Sequence, residues 1–114
     1  MIFVYGSNNQ GNNAGGAARE ASLHFEAQDG VIEGRTGRAY AIPTMPPQTI
    51  ENIEFSVKRF LRYADDNANL EFFVTAIGCG IAGYEVKDIA PMFKYAPQNC
   101  TLHRRFADYL ASEV

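Results

Sequence analysis

The sequence predicts an α/β fold, a mainly parallel sheet with helices packed around it. Three observations lead there. Short apolar runs of strand length alternate with stretches of helical periodicity, the pattern of βαβ units. Two glycine-rich segments each follow such a run, where a strand hands over to a helix. Finally, 114 residues, 46% of them hydrophobic, suffice to bury a core without disulfides or a structural metal, so one domain over 1–114 is expected.

The elements follow in order. Ile2 to Tyr5 is an apolar run ended by Gly6-Ser7-Asn8-Asn9, a buried strand entering a loop. From Gly15 to about Phe25, Ala17, Ala18, Ala21 and Phe25 recur at helical spacing, and their small side chains let a helix sit close to a sheet. Asp29-Gly30 closes this region, and Gly30 to Gly37 reads as a turn or short hairpin. Ala39 to Ile42 is a second strand, stopped by Pro43 and the Pro46-Pro47 pair. Thr49 is the expected N-cap of a helix to about Asp65, whose Ile50, Ile53, Val57, Phe60, Leu61 and Ala64 form one core-facing stripe. Phe72 to Ile77 has the unbroken apolar character of a strand covered on both faces. Ile89, Met92, Phe93 and Ala96 predict a third helix with Pro91 in its first turns. Thr101-Leu102 is a short last strand, and Phe106, Tyr109 and Leu110 mark a closing amphipathic helix.

Charge and composition narrow the function classes. A net charge of −3, with no run of Lys or Arg, argues against general nucleic-acid binding. The apolar stretches are too short to cross a bilayer, and Met1 to Tyr5 reads as a strand rather than a signal peptide, so the expected compartment is the cytoplasm. Cys79, Cys100, His24 and His103 fit no metal-ligand spacing; free thiols, no metal and no cofactor are expected.

The chemistry is expected at the two loops, because ligands of open α/β sheets settle outside the carboxyl ends of the strands. The first loop, with Gly6, Ser7, Asn8, Gly11, Asn12, Asn13, Gly15 and Gly16, precedes the first helix; the second runs Gly78-Cys79-Gly80-Ile81-Ala82-Gly83-Tyr84. Glycine lets backbone approach a ligand without a Cβ between, and free N–H groups at a helix start favour phosphate. Together the loops are expected to grip a pyrophosphate. The second loop matches G-x-G-x-x-G, but it lies late in the chain and has no acidic residue ending a following strand, and no G-K-[ST] Walker sequence exists. The asparagine cluster reads either as a solvated loop or as donors and acceptors for ribose hydroxyls or a scissile linkage.

Taken together, Asn-x-x-Gly…Gly-Gly-Ala-Ala after the first strand, Tyr40-Ala41-Ile42-Pro43-Thr44, and Ile77-Gly78-Cys79-Gly80-Ile81-Ala82-Gly83-Tyr84 after the late strand resemble the ADP-ribose-binding macrodomains. The likeness is greatest to short macrodomain-like proteins of phages and prophages and spans roughly 3–102. It implies a small three-layer sandwich, with the second loop wrapping the diphosphate and distal ribose and the first lying beside that ribose. Adenine recognition and catalysis do not carry over. The acidic residue expected after an early strand has no counterpart at Ser7-Asn8, and no histidine stands near Asn13.

Further residues divide between ligand and structural roles. Thr44 either reaches ligand or caps a turn, and Tyr84 stacks on a base or packs on the third helix. Arg19 assists a phosphate or stays solvated. Arg35 and Arg38 form a cationic lid or a charged turn, and Cys79 is a thiol activated ahead of a helix or a small loop residue. The leading expectation is a module that binds an ADP-ribose-like signalling nucleotide, in a phage context sequestering a host defence signal. One alternative is a hydrolase of ADP-ribosyl linkages using Asn8, Asn13 or Cys79. The other is a protein-interaction module that kept the fold without the ligand. A homo-oligomer sharing the ligand across its interface stays open.

Overall fold

The computed structural model describes residues 1–13 and 15–113. Its strands are β1 (Ile2–Ser7), β2 (Gly34–Thr36), β3 (Ala39–Pro43), β4 (Phe72–Val74) and β5 (Cys100–Leu102). Its helices among the described residues are α1 (Gly16–His24), α2 (Ile50–Asp66), α3 (Val86–Ile89) and α4 (Arg104–Ser112), with a 3₁₀ turn over Ala90–Phe93. The sheet order is β2-β3-β1-β4-β5. β3, β1, β4 and β5 pair in parallel, whereas β2 runs antiparallel to β3.

The fold is thus α/β with a mixed sheet, which corrects the expectation of a mainly parallel one. The segment from Gly30 to Gly37 supplies the antiparallel edge, because Gly37 at φ +56 turns the chain back so that Gly34 faces Ala41. A hairpin needs only a tight turn, whereas a parallel partner would need a crossover.

Strand alternation sends side chains to two separate cores. Ile2, Val4, Tyr40, Ile42, Phe72 and Val74 pack on one face with Ile53, Val57, Phe60 and Ala64 of α2, Ile89 of α3 and Phe106 of α4. Phe3, Tyr5, Ala39 and Ala41 pack on the other with Ala18 and Ala21 of α1. Both faces are covered, so the strands carry no polar alternation. Each fully buried Phe or Ile contributes about 1.5–3 kcal/mol. The α2 expectation holds closely: Thr49 Oγ1 accepts from the Asn52 N–H at 3.1 Å, and Ile53, Val57, Phe60 and Ala64 are buried at its stripe.

Two expected elements come out shorter. β4 ends at Val74 rather than Ile77: the Thr75 N–H makes the last ladder bond, to the Val4 carbonyl at 3.1 Å, its hydroxyl donates to the same carbonyl at 2.7 Å, and the Ile77 N–H then turns back onto the Thr75 carbonyl. The third helix is one turn, α3, followed by the 3₁₀ turn that holds Pro91. No described helix is long and apolar enough to cross a membrane.

Candidate functional site

The order β3-β1-β4 creates a switch point. From β1 the chain passes through α1 and β2 to β3 on one side, then through α2 to β4 on the other. Beyond Thr75 the β4 chain leaves β1, and a cleft of about 530 Å³ opens over the strand ends. A crevice at such a point is where open α/β sheets bind ligands. All four parallel strands end in it: Gly6, Ser7 and Asn8 come from β1, Thr44 and Met45 from β3, Thr75 to Ala82 from β4, and His103 and Arg105 from β5 and α4. Gly15, Gly16, Ala17 and Ala18 of the α1 start complete the wall with Asn12.

Of the residues expected at the site, Gly6, Ser7, Asn8, Asn12, Gly15, Gly16, Thr44, Gly78, Cys79, Gly80, Ile81 and Ala82 line this cleft, while Gly11, Asn13, Gly83 and Tyr84 do not. Each exception has a physical cause. Gly11, at φ +66, lies so close to Gly30 that an added Cβ would sit 2.6 Å from its carbonyl carbon, so it clamps the first loop to the 30s segment. Gly83, at φ +84, serves the loop's own turn, its N–H donating to the Gly80 carbonyl. Tyr84 packs against the α2-side core, with its ring beside Gly78 and its hydroxyl 3.4 Å from the Gln48 carbonyl.

Asn13 is buried under the loop. Neither its amide atoms nor the Tyr5 hydroxyl makes a well-formed hydrogen bond among the described residues. Burial raises the Tyr5 pKa, the adjacent Asn13 opposing and Asp29 adding to the rise.

Side chains inside the cleft differ in what they can do. Asn8 is committed to its own loop: Oδ1 accepts from the Gln10 and Asn12 N–H groups at 3.0 and 2.9 Å, and Nδ2 donates to the Asn12 carbonyl. Its role is to shape the loop rather than to contact ligand through its amide. Ser7 donates to the Ile32 carbonyl. Thr44 is 3% exposed and borders the cleft. The Cys79 thiol is pushed above its ordinary value by burial, with Arg105 pulling the other way and Asp88 adding to the rise. This corrects the expectation of a thiol activated ahead of a helix. α3 begins only at Val86 and is one turn long, its start closed by a capping box in which the Asp88 carboxylate accepts from the Glu85 N–H at 3.0 Å.

The same capping removes α3 as a phosphate-binding helix start. α1 takes that place. Gly15, the α1 N-cap, makes no side-chain cap, and the first turn of α1 holds no acidic residue. His103 caps α4, its Nδ1 accepting from the Arg105 N–H at 3.1 Å. Among the described residues no carboxylate lines the cleft, although the chain carries 13 acidic residues. A helix start and a guanidinium at the wall each attract an anion.

The expected cationic lid does not form. Arg38 pairs with Glu26 at 2.7 Å and Arg35 donates to Tyr63, both at the amino end of β3, away from the cleft; Arg19 is solvent-exposed outside it. Ala17, Ala18, Met45, Thr75, Ala76, Ile77, His103 and Arg105 also line the cleft and were not expected there; of these, His103 and Arg105 are the ionisable ones. The available signal was their position just after the last strand, at the carboxyl edge of the sheet.

Gly15 and Gly80 have ordinary φ, and a Cβ on either would meet nothing within 4 Å. Neither position needs glycine for the chain's own packing, and at both the bare backbone faces the cleft. Compared with known proteins, the chain matches no protein-family model, no curated protein and no solved structure.

Proposed function

We propose that the cleft binds a nucleotide of the ADP-ribose type through its phosphates and holds it without turnover. One observation carries the reading. A cleft at the switch point of the sheet is walled by glycine backbone, by the start of α1, which has no side-chain cap, and by Arg105, with no carboxylate lining it among the described residues. Its volume lies within the range of small-molecule sites. The macrodomain resemblance of the two loops supports ADP-ribose among such nucleotides, and helices on both faces of the sheet suit a small three-layer arrangement of that kind. Binding is favoured over hydrolysis because Asn8 is committed to its loop, Asn13 lies outside the cleft and the Cys79 thiol is held protonated. Retention of a signalling nucleotide is the role such a site serves.

The test is a thermal-shift series with ADP-ribose, NAD, AMP, cyclic ADP-ribose and cyclic dinucleotides. A ligand at a hundred times its Kd adds about 2.7 kcal/mol, a rise of several degrees in Tm. Gly80 lines the cleft and a Cβ there meets nothing within 4 Å, so Gly80→Leu is expected to keep the unliganded Tm and weaken or abolish the shift. No shift with any nucleotide would overturn the reading and favour a protein-interaction module.

A further inference from the structure

The stretch from Gly30 to Glu33 belongs to no helix or strand and ties the first loop to α2. Its first end holds the cleft wall. The Gly30 N–H donates to the Gly11 carbonyl at 3.0 Å, and a Cβ on Gly11 would stand 2.8 Å from the Val31 nitrogen. The Gly11 N–H donates in turn to the carbonyl of Asn8, which lines the cleft. The Ser7 hydroxyl donates to the Ile32 carbonyl, while the Ser7 carbonyl accepts from the Thr44 N–H at 3.1 Å. Ser7 and Thr44 both line the cleft and are buried.

The second end is held by charge. Glu33 Oε2 accepts from Arg59 Nε at 2.6 Å, and Oε1 accepts from Arg59 Nη2 at 2.8 Å and from the buried Ser56 hydroxyl at 3.1 Å. The guanidinium fork meets both carboxylate oxygens, which fixes orientation as well as distance. α2 is a firm anchor, because Ile53, Val57, Phe60 and Ala64 are buried beneath it. A surface ion pair ordinarily adds little to stability, and the Arg59 side chain is 59% exposed. This one joins a stretch outside the sheet to a packed helix, so what it supplies is position. Neither Glu33 nor Arg59 lines the cleft.

Resting on the nucleotide reading above, we propose that the Glu33–Arg59 pair is a positioning contact for the cleft: through Gly30 to Ile32 it sets where Ser7 and the first loop stand, so that a bond on α2 outside the cleft governs nucleotide affinity. The stretch needs such a hold because Gly30 and Gly34 flank it at φ +90 and +103, and glycine loses the most conformational freedom when fixed. Without the pair, the cost of ordering the first loop falls on ligand binding. A direct effect of the two charges on an anion gives a different pattern. Glu33→Gln removes a negative charge and would strengthen binding, whereas Arg59→Gln removes a positive one and would weaken it. Positioning weakens binding in both.

Two measurements on the full chain test this, with Glu33→Gln, Arg59→Gln, the double variant and Arg59→Lys beside the wild type. In hydrogen exchange, the Gly11 and Gly30 amides are expected to exchange faster in both single Gln variants. The Phe3 and Phe72 amides, bonded within the sheet region to the Arg38 and Asn99 carbonyls, are expected to keep their protection, which separates a local release from general destabilisation. In calorimetric titration with ADP-ribose, each Gln variant is expected to weaken binding about two- to thirtyfold, the scale of coupling through a packed network. The double variant is expected to bind no more weakly than either single one, and Arg59→Lys, which keeps the charge without the fork, to recover part of the loss. Unchanged exchange at Gly11 and Gly30, changes in affinity of opposite sign, additive losses, or single variants that bind ADP-ribose as tightly as the wild type would each overturn the positioning role while the nucleotide reading stands. A wild type that binds no ADP-ribose overturns this role together with the reading it rests on.

Discussion

Gly6 of β1 and Thr44 at the end of β3 meet so closely that a Cβ on Gly6 would lie 2.8 Å from Thr44 Oγ1 and 3.7 Å from the Gly78 nitrogen. The three strand exits that make the floor of the cleft therefore converge on an absent side chain. Gly6→Ala is expected to cost about 1–3 kcal/mol in urea unfolding through overpacking and to weaken nucleotide binding. Thr44→Ala in the same chain is expected to recover part of that loss. Strictly additive effects in the double-mutant cycle would show that the contact is not the cause.

Gly11 tests the opposite kind of glycine, one needed for the chain and not for ligand. Its φ of +66 disfavours any side chain, and a Cβ would meet Gly30 at 2.6 Å. Gly11→Ala is expected to destabilise the protein by about 2–4 kcal/mol, with the first loop losing amide protection in hydrogen exchange. A stability equal to wild type would refute the clamp between Gly11 and Gly30.

The Cys79 thiol is expected to react slowly with iodoacetamide at neutral pH, more slowly than an unstructured peptide thiol. Burial holds it above its ordinary value and the thiolate is the nucleophile. Arg105 is the one group acting in the other direction, so Arg105→Gln is expected to slow alkylation further. Fast alkylation in the wild type would reopen a nucleophilic role for this residue.

Acid sensitivity is expected to trace to Glu33. Its carboxylate takes two bonds from Arg59, at 2.6 and 2.8 Å, and one from Ser56 at 3.1 Å, joining the 30s segment to α2. The Arg59 bonds lower its pKa from 4.5 against the opposing effect of burial. A carboxylate with a lowered folded pKa stabilises fully above its unfolded value, and that contribution is lost as pH falls through the folded one. Stability measured by urea unfolding is therefore expected to fall below about pH 4.5, and Glu33→Gln is expected to flatten that slope while lowering stability at pH 7. An identical slope in the variant would assign acid sensitivity elsewhere.

Local chemistry made much of this protein legible. The helical stripe from Ile53 to Ala64 and the Thr49 cap define α2 because period and capping are properties of neighbouring residues. The apolar runs of β1, β3 and β4 announced strands covered on both faces, and the glycines after β1 and β4 marked loops at the correct sheet edge. Most of the expected site residues from those loops do line the cleft.

Tertiary structure alone decided the rest, for one physical reason: side-chain roles depend on partners distant in sequence. The Thr75 hydroxyl is taken up by the Val4 carbonyl, 71 residues away, and just beyond it the chain turns back on itself, so that β4 stops short of Ile77. Gly11 is turned into a clamp by Gly30, and Tyr84 is drawn into the core beside Gly78. α3 is closed to phosphate by its own carboxylates, while β5, pairing beside β4, brings His103 and Arg105 from the last tenth of the chain into the cleft wall. Sequence determined where backbone would be bare and strands would end; packing determined which charges face the space they enclose.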